Sequence, residues 1–319
     1  MSKRKQLALG AVSGTAAILG WQSYRQYQRD RQAALVRIAA HSRTAETRLG
    51  SIVYGKRGEG PPVLVIHGAG GGFDQALHVA EGLAEGFEWI APSRFGYLGT
   101  PLPEDGSPAA QANAHAALLD FLGIERAAVI GMSAGGPSAL QFALRYPERC
   151  TGLVMMAGVS QGMLAVSPNL EVIEKLVNWL YASDYLTWLG LQLAIHRLVP
   201  SLGVPLSVTR SLSAADKAWL RTLLEYALPI RERTVGLIHD YVTVLSLEVL
   251  PLAQIRVPTL IVHARDDGLV SLKHAQFCVE NIPQAQMLEL PRGGHLFLGQ
   301  RAPIRAVVEP FLRAASHQS

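Results

Sequence analysis

The sequence predicts an α/β fold, a parallel sheet covered by helices on both faces, and three observations carry that expectation. Short β-branched runs at 62–66, 88–91, 126–130, 152–156, 258–263 and 286–290 alternate with helix-like segments at 109–122, 134–146, 272–281 and 303–314. Runs such as Val63-Leu64-Val65-Ile66 are apolar at every position, which suits strands with both faces buried. Hydrophobic residues make up 49% of the 319 and charged residues 17%, enough apolar material for a large core without the signature of bulk disorder.

The first 47 residues stand apart from this rhythm. Lys3-Arg4-Lys5 precedes an apolar stretch from Leu7 to Trp21, and an Arg-rich polar stretch follows to Arg48. The layout is that of a signal or anchor segment without a convincing small-x-small cleavage site. Residues 7–21 are short for the roughly 20 needed to span a bilayer, and Gly10, Gly14, Gly20, Ser13 and Thr15 dilute them further. Membrane association through residues 7–21 is the first expectation for this arm. A cleaved or organelle-targeting peptide and a docked helix are the alternatives.

Charge divides the chain in the same place. Residues 1–49 hold nine Lys/Arg against Asp30 and Glu46, a net of +7, so the total of +4 leaves −3 for the rest. A mildly acidic body argues against a nucleic-acid partner, which needs a basic patch on the folded surface.

In the body, the chemistry-bearing residues follow the strands. His67-Gly68-Ala69-Gly70-Gly71-Gly72 comes after the run 62–66, and its small residues let backbone N–H groups face a pocket. Ala69 N–H, with Gly70 as the fallback, is the expected oxyanion donor from this loop. The loop lacks the lysine of a P-loop and the G-x-G-x-x-G spacing of a dinucleotide site. His67 itself is expected to be structural. Gly131-Met132-Ser133-Ala134-Gly135-Gly136 follows the run 126–130 and precedes a helix, which places Ser133 on a tight strand-to-helix turn with an exposed hydroxyl. Ser133 is the expected nucleophile and Ala134 N–H the second oxyanion donor.

A serine hydroxyl needs a base, and the base an orienting carboxylate. Gly293-Gly294-His295 follows the last strand and offers His295 as general base. Asp266-Asp267 follows the run 258–263; Asp267 is the expected acid, leaving Asp266 as a loop or capping residue. Between about 160 and 251 the strand rhythm stops and Leu, Trp and Tyr recur at helical spacing, including Trp179, Tyr181, Trp188 and Trp219. This segment reads as a helical cap over the strand ends, or alternatively as extra helices on the sheet flank. The expected organisation is an arm at 1–47, a catalytic domain at 48–159 and 252–319, and a cap at 160–251. Cys150 and Cys278 are too few for a disulfide framework and read as buried thiols.

In order, His67-Gly68-Ala69-Gly70-Gly71, Ser93-Arg94-Phe95-Gly96-Tyr97, Gly131 to Gly136, His263 to Val270 and Gly293-Gly294-His295 resemble the landmarks of the α/β-hydrolase superfamily, in its serine-nucleophile, esterase- or lipase-like branch. The resemblance implies a mostly parallel eight-stranded sheet with an antiparallel second strand, a cap inserted after strand six, and an acyl-enzyme mechanism without metal or organic cofactor. Ala264, Ser271 and Ser93 depart from residues frequent in the family. Serine at 133 also departs from the dehalogenase and epoxide-hydrolase branches, which carry aspartate there.

The expected reaction is hydrolysis of a small-molecule carboxylic ester. An apolar acyl or alcohol part is suggested by the cap composition and by Leu296-Phe297-Leu298 beside the base. Carbon–carbon bond hydrolysis by the same triad and a non-catalytic small-ligand receptor are the alternatives. Arg94 is expected to be a surface salt-bridge partner rather than a substrate clamp. Oligomeric state is not legible.

Overall fold

A computed structural model gives the architecture of residues 3–162, 175 and 183–317, with the backbone alone at 3–17 and 194–198. Eight strands form one sheet: β1 Arg43–Thr47, β2 Gly50–Arg57, β3 Pro62–Ile66, β4 Glu88–Pro92, β5 Ala127–Met132, β6 Cys150–Met156, β7 Thr259–Ala264 and β8 Ala285–Leu290. Their spatial order is β1-β2-β4-β3-β5-β6-β7-β8. Only β2 runs against its neighbours; every pairing from β4 to β8 is parallel.

Alternation within each strand shows why the runs are apolar throughout. Val63 and Val65 face one layer with Phe73, Trp89, Ile130, Val154, Val262, Ile304 and Val308, while Leu64 and Ile66 face the other with Ile90, Leu118, Val129, Leu140, Leu153 and Ile261. The second layer is built by α3 Pro108–Phe121, α4 Gly136–Arg145 and α9 Leu272–Asn281; the first by α2 Phe73–Ala80 and α10 Arg301–Ser316. Both free cysteines are buried, which pushes Cys150 up to about 12 and Cys278 to about 11.

The β1–β2 hairpin carries only the three-residue apolar run Ile52-Val53-Tyr54, too short for the alternation of strand and helix to reveal it. Burial is one-sided in β1, where Ala45 points inward between exposed neighbours, whereas β2 turns Ile52 and Tyr54 to one layer and Val53 to the other. The sheet consequently begins at Arg43, inside the stretch that the sequence assigns to the arm.

The rest of the arm is one helix, α1 Lys3–His41. Among the described residues no helix is long and apolar enough to cross a membrane, so the anchor expectation is not supported. The apolar stretch is too short and too rich in Gly, Ser and Thr, and it runs straight into a polar, docked continuation. There Tyr27 packs with Tyr185 and Trp188, Asp30 accepts from the Trp188 indole at 2.8 Å, and Arg31 lies 3.6 Å from Asp184.

Between β6 and β7 the described residues form helices and short turns and no strand: α5 Asp184–Leu198, α6 Leu206–Arg210, α7 Ala214–Glu225 and α8 Thr234–Leu245. Trp179 and Tyr181 lie outside the described residues. Leu296 and Leu298 pack with Val199, Val204, Val208, Leu220 and Leu224, and Phe297 joins the sheet core.

One buried group in α3 has a measurable consequence. His115 is fully buried, neither ring nitrogen has a hydrogen-bond partner among the described residues, and burial, reinforced by Arg94, lowers its pKa to about 3. The unfolded chain binds a proton at this residue below its ordinary 6.5 while the folded chain does not, so its contribution to stability falls as pH drops from 6.5 towards 3. The slope is about 1.4 kcal/mol per pH unit. His115→Leu is expected to flatten the acid loss by that amount in urea unfolding at stepped pH between 6.5 and 4. Curves that stay parallel to the parent protein's contradict this.

Candidate active site

The strand order reverses between β3 and β5: the chain leaves β3 for β4 on one side and returns to β5 on the other. In open α/β sheets the crevice at such a switch, beyond the strand carboxyl ends, receives ligands. The loop after β3 and Ser133 after β5 meet there. An added Cβ on Gly68 would lie 2.9 Å from Ser133 Cβ.

Ser133 opens a tight turn, Ser133–Gly135, between β5 and α4, and its φ is +48°. That left-handed conformation is costly for a residue with a side chain and points to a functional demand on its direction. The flanking glycines serve close approach instead. A Cβ on Gly131 would lie 2.5 Å from Ala139 Cβ, and one on Gly135 2.6 Å from the His67 carbonyl oxygen.

The structure brings Ser133, His295 and Asp267 into one chain of hydrogen bonds. His295 Nε2 is 2.9 Å from Ser133 Oγ, and Nδ1 is 2.8 Å from Asp267 Oδ2. With the proton on Nδ1 donated to the carboxylate, Nε2 is free to accept the serine proton. The other Asp267 oxygen accepts from the amides of Leu269 at 2.8 Å and Val270 at 2.9 Å. His263 Nε2 lies 3.5 Å from Oδ2 and bonds the Val270 carbonyl at 2.9 Å. Asp266 points elsewhere: its Oδ1 accepts from Gly294 N–H at 2.8 Å and ties the acid loop to the base loop. Gly203, from the segment between α5 and α6, joins the same loops, its carbonyl accepting from Gly268 N–H at 3.0 Å and His295 N–H at 3.1 Å.

On the facing loop, Gly70 is already engaged, its N–H donating to the Tyr97 hydroxyl at 3.1 Å. Ala69 N–H donates to no acceptor among the described residues, which leaves it available beside Ser133. His67 is fully buried; its Nδ1 bonds the Gly68 carbonyl at 2.8 Å and its Nε2 accepts from Arg94 N–H at 3.0 Å. Burial, followed by the Arg94 charge, holds this imidazole well below its ordinary pKa. It stays neutral and fixes the loop.

Arg94 is not a surface salt-bridge partner. It is 6% exposed, and its guanidinium grips Asp240 of α8 with two hydrogen bonds, 2.6 Å from Nη1 to Oδ1 and 2.5 Å from Nη2 to Oδ2. A second buried pair crosses the same boundary in the opposite sense: Arg233, fully buried just before α8, bonds both oxygens of Asp74 at the start of α2, at 3.2 and 2.8 Å, and the Gly71 carbonyl at 2.6 Å. Sequence reasoning missed Gly203, Asp74, Arg233 and Asp240. The available signal was the single carboxylate within the largely apolar Thr234–Leu245.

Comparison with known proteins agrees with this architecture. A family model described as alpha/beta hydrolase fold matches residues 61–302. The chain is 30% identical over 245 residues to a 2-hydroxy-6-oxo-6-phenylhexa-2,4-dienoate hydrolase from Burkholderia cepacia, covering 75% of this chain and 82% of that protein. An alpha/beta hydrolase fold protein from Nakamurella multipartita superposes with a TM-score of 0.70 at 30% identity, covering 86% of this chain and 99% of that one. An esterase from Exiguobacterium antarcticum shares the fold, with a TM-score of 0.66 at 18% identity over 85% of this chain and 98% of that one. The chain belongs to the alpha/beta hydrolase fold family.

Proposed function

We propose that the chain is a serine hydrolase of small-molecule carboxylic esters, with Ser133 as nucleophile, His295 as general base and Asp267 as the orienting acid. The observation that carries this reading is the unbroken hydrogen-bond chain from Ser133 through His295 to Asp267, with the serine held at positive φ. Ser133 Oγ attacks the ester carbonyl while His295 Nε2 takes its proton. The amides of Ala69 and Ala134 hold the oxyanion. Collapse expels the alcohol, which leaves with the proton from His295, and water attacks the acyl-serine by the same sequence in reverse. In this reading residues 160–251 act as the cap, and Tyr27, Asp30 and Arg31 of α1 pack against its helix α5.

Carbon–carbon bond hydrolysis is the second reading, favoured by the Burkholderia relative, whose name describes a dienoate hydrolase. Against it, a dienoate carries a carboxylate, and among the described residues the two buried arginines, Arg94 and Arg233, are already paired with Asp240 and Asp74. Ester hydrolysis asks for no such cation.

Two measurements test this. A fluorophosphonate probe should label the protein and fail to label Ser133→Ala; an unlabelled parent protein would leave a non-catalytic receptor as the better reading. Parallel assays on p-nitrophenyl esters of rising chain length and on a vinylogous 1,5-diketo acid should favour the esters in kcat/KM. Preference for the diketo acid would replace the ester assignment and retain the triad.

A further inference from the structure

The carboxylate of Asp240 lies on a helix outside the sheet and contacts neither Ser133 nor His295, yet it ends two hydrogen-bonded arms that converge on the nucleophile. Along one arm, Asp240 binds the Arg94 guanidinium, and Arg94 Nη1 donates to the Ala134 carbonyl at 3.3 Å. Along the other, the Tyr97 hydroxyl donates to Asp240 Oδ2 at 2.5 Å and accepts from Gly70 N–H at 3.1 Å. Each arm grips the peptide unit immediately after one oxyanion-donor residue: the 134–135 unit after Ala134, and the 69–70 unit after Ala69.

From this geometry we infer that Asp240 is a positioning residue that sets the spacing of the two oxyanion donors, Ala69 N–H and Ala134 N–H, through Tyr97 and Arg94. The inference rests on the proposed serine-hydrolase reading and names a further residue for that same site.

Three features make the arms stiff enough for the task. Asp240, Arg94 and Tyr97 are 3%, 6% and 0% exposed, so the bonds act without competing water. The fork of Arg94 on a carboxylate is a paired, planar contact that fixes angle as well as distance. The backbones also interlock: Gly236 N–H donates to the Gly96 carbonyl at 3.0 Å, and a Cβ on Gly236 would lie 2.2 Å from the Tyr97 ring. His67 packs edge-on against Tyr97 with centroids 4.7 Å apart and accepts the Arg94 amide proton, which joins the two arms a second time. Burial and then the Asp240 charge keep the Tyr97 hydroxyl well above its usual pKa, so it remains a donor. Burial opposes the Arg94 charge, but Asp240 and Tyr97 outweigh it and raise its pKa.

Donors in an oxyanion hole act only when preorganised, and displacement by about 1 Å costs on the order of 100-fold in rate. Asp240→Asn retains the shape and removes the charge that holds both arms. With p-nitrophenyl acetate, too small to depend on the cap, kcat should fall about 10- to 100-fold with KM within about twofold, and fluorophosphonate labelling should slow in parallel. Tyr97→Phe cuts one arm and should lower kcat about tenfold on its own and by less than twofold in the Asp240→Asn background.

The outcomes separate cleanly. If the parent protein is not labelled at Ser133, the serine-hydrolase reading fails. If it is labelled, and both variants melt cooperatively but keep the parent kcat on acetate, Asp240 only fastens the helix and the inference is overturned. Should Asp240→Asn fail to fold, Tyr97→Phe decides alone: unchanged kcat and labelling rate overturn the proposal, and a fall in both supports it.

Discussion

Ser133→Ala is expected to lower kcat on a p-nitrophenyl ester by about four to six orders of magnitude with little change in KM. The serine oxygen is the only atom that can form the acyl intermediate in the proposed mechanism. His295→Ala should lose about as much, because an unassisted serine hydroxyl is a poor nucleophile at neutral pH. The double variant should be no slower than either single one, since groups that act as a unit are not additive. Steady-state and single-turnover kinetics check this. Residual activity above about 1% in Ser133→Ala would remove the serine from the mechanism.

The largest expected loss of stability comes from Asp74→Ala. Arg233 has no exposed surface, and Asp74 supplies its only carboxylate partner among the described residues. Breaking a buried pair by removing one member leaves an uncompensated charge, at a cost of about 3–5 kcal/mol. Arg37, 3.6 Å from the same carboxylate, adds a second cation to be left behind. Replacing both members, Asp74→Leu with Arg233→Met, should cost less than Asp74→Ala alone, because the fully buried charge is then gone and only the partly exposed Arg37 loses a partner. Urea unfolding of the two single variants and the double variant measures the coupling. A single-variant loss under about 1 kcal/mol would show that solvent reaches the site on relaxation.

Much of the site could be read from the chain because its signals are local. A serine between glycines after an apolar strand, a histidine after two glycines, and an aspartate at the preceding strand end each combine residue type with position inside about six residues. Both buried Arg–Asp pairs escape such reading. Arg94 and Asp240 are 146 residues apart, and Asp74 and Arg233 are 159 apart, so no local pattern links them. The solvent-exposed role expected of Arg94 failed for that reason: the helix that covers it is supplied from far along the chain. The anchor expectation, which no described helix supports, has the opposite character. Its basic and apolar residues are a local pattern, while the contacts of Tyr27, Asp30 and Arg31 with α5 are tertiary.

The sequence by itself determined the alternation of strands and helices and the covering of the sheet on both faces, and it offered Ser133, Asp267 and His295 as candidates in that order. These follow from periodicity and turn chemistry, which act over a few residues. Only the tertiary structure decided that Asp266 ties the acid loop to Gly294 N–H, that Gly70 N–H is taken by Tyr97, that α1 lies against α5, and that Arg94 is buried on Asp240. Such facts depend on distance and exposure between segments remote in the chain, and a buried charge finds its partner through the packing of whole elements.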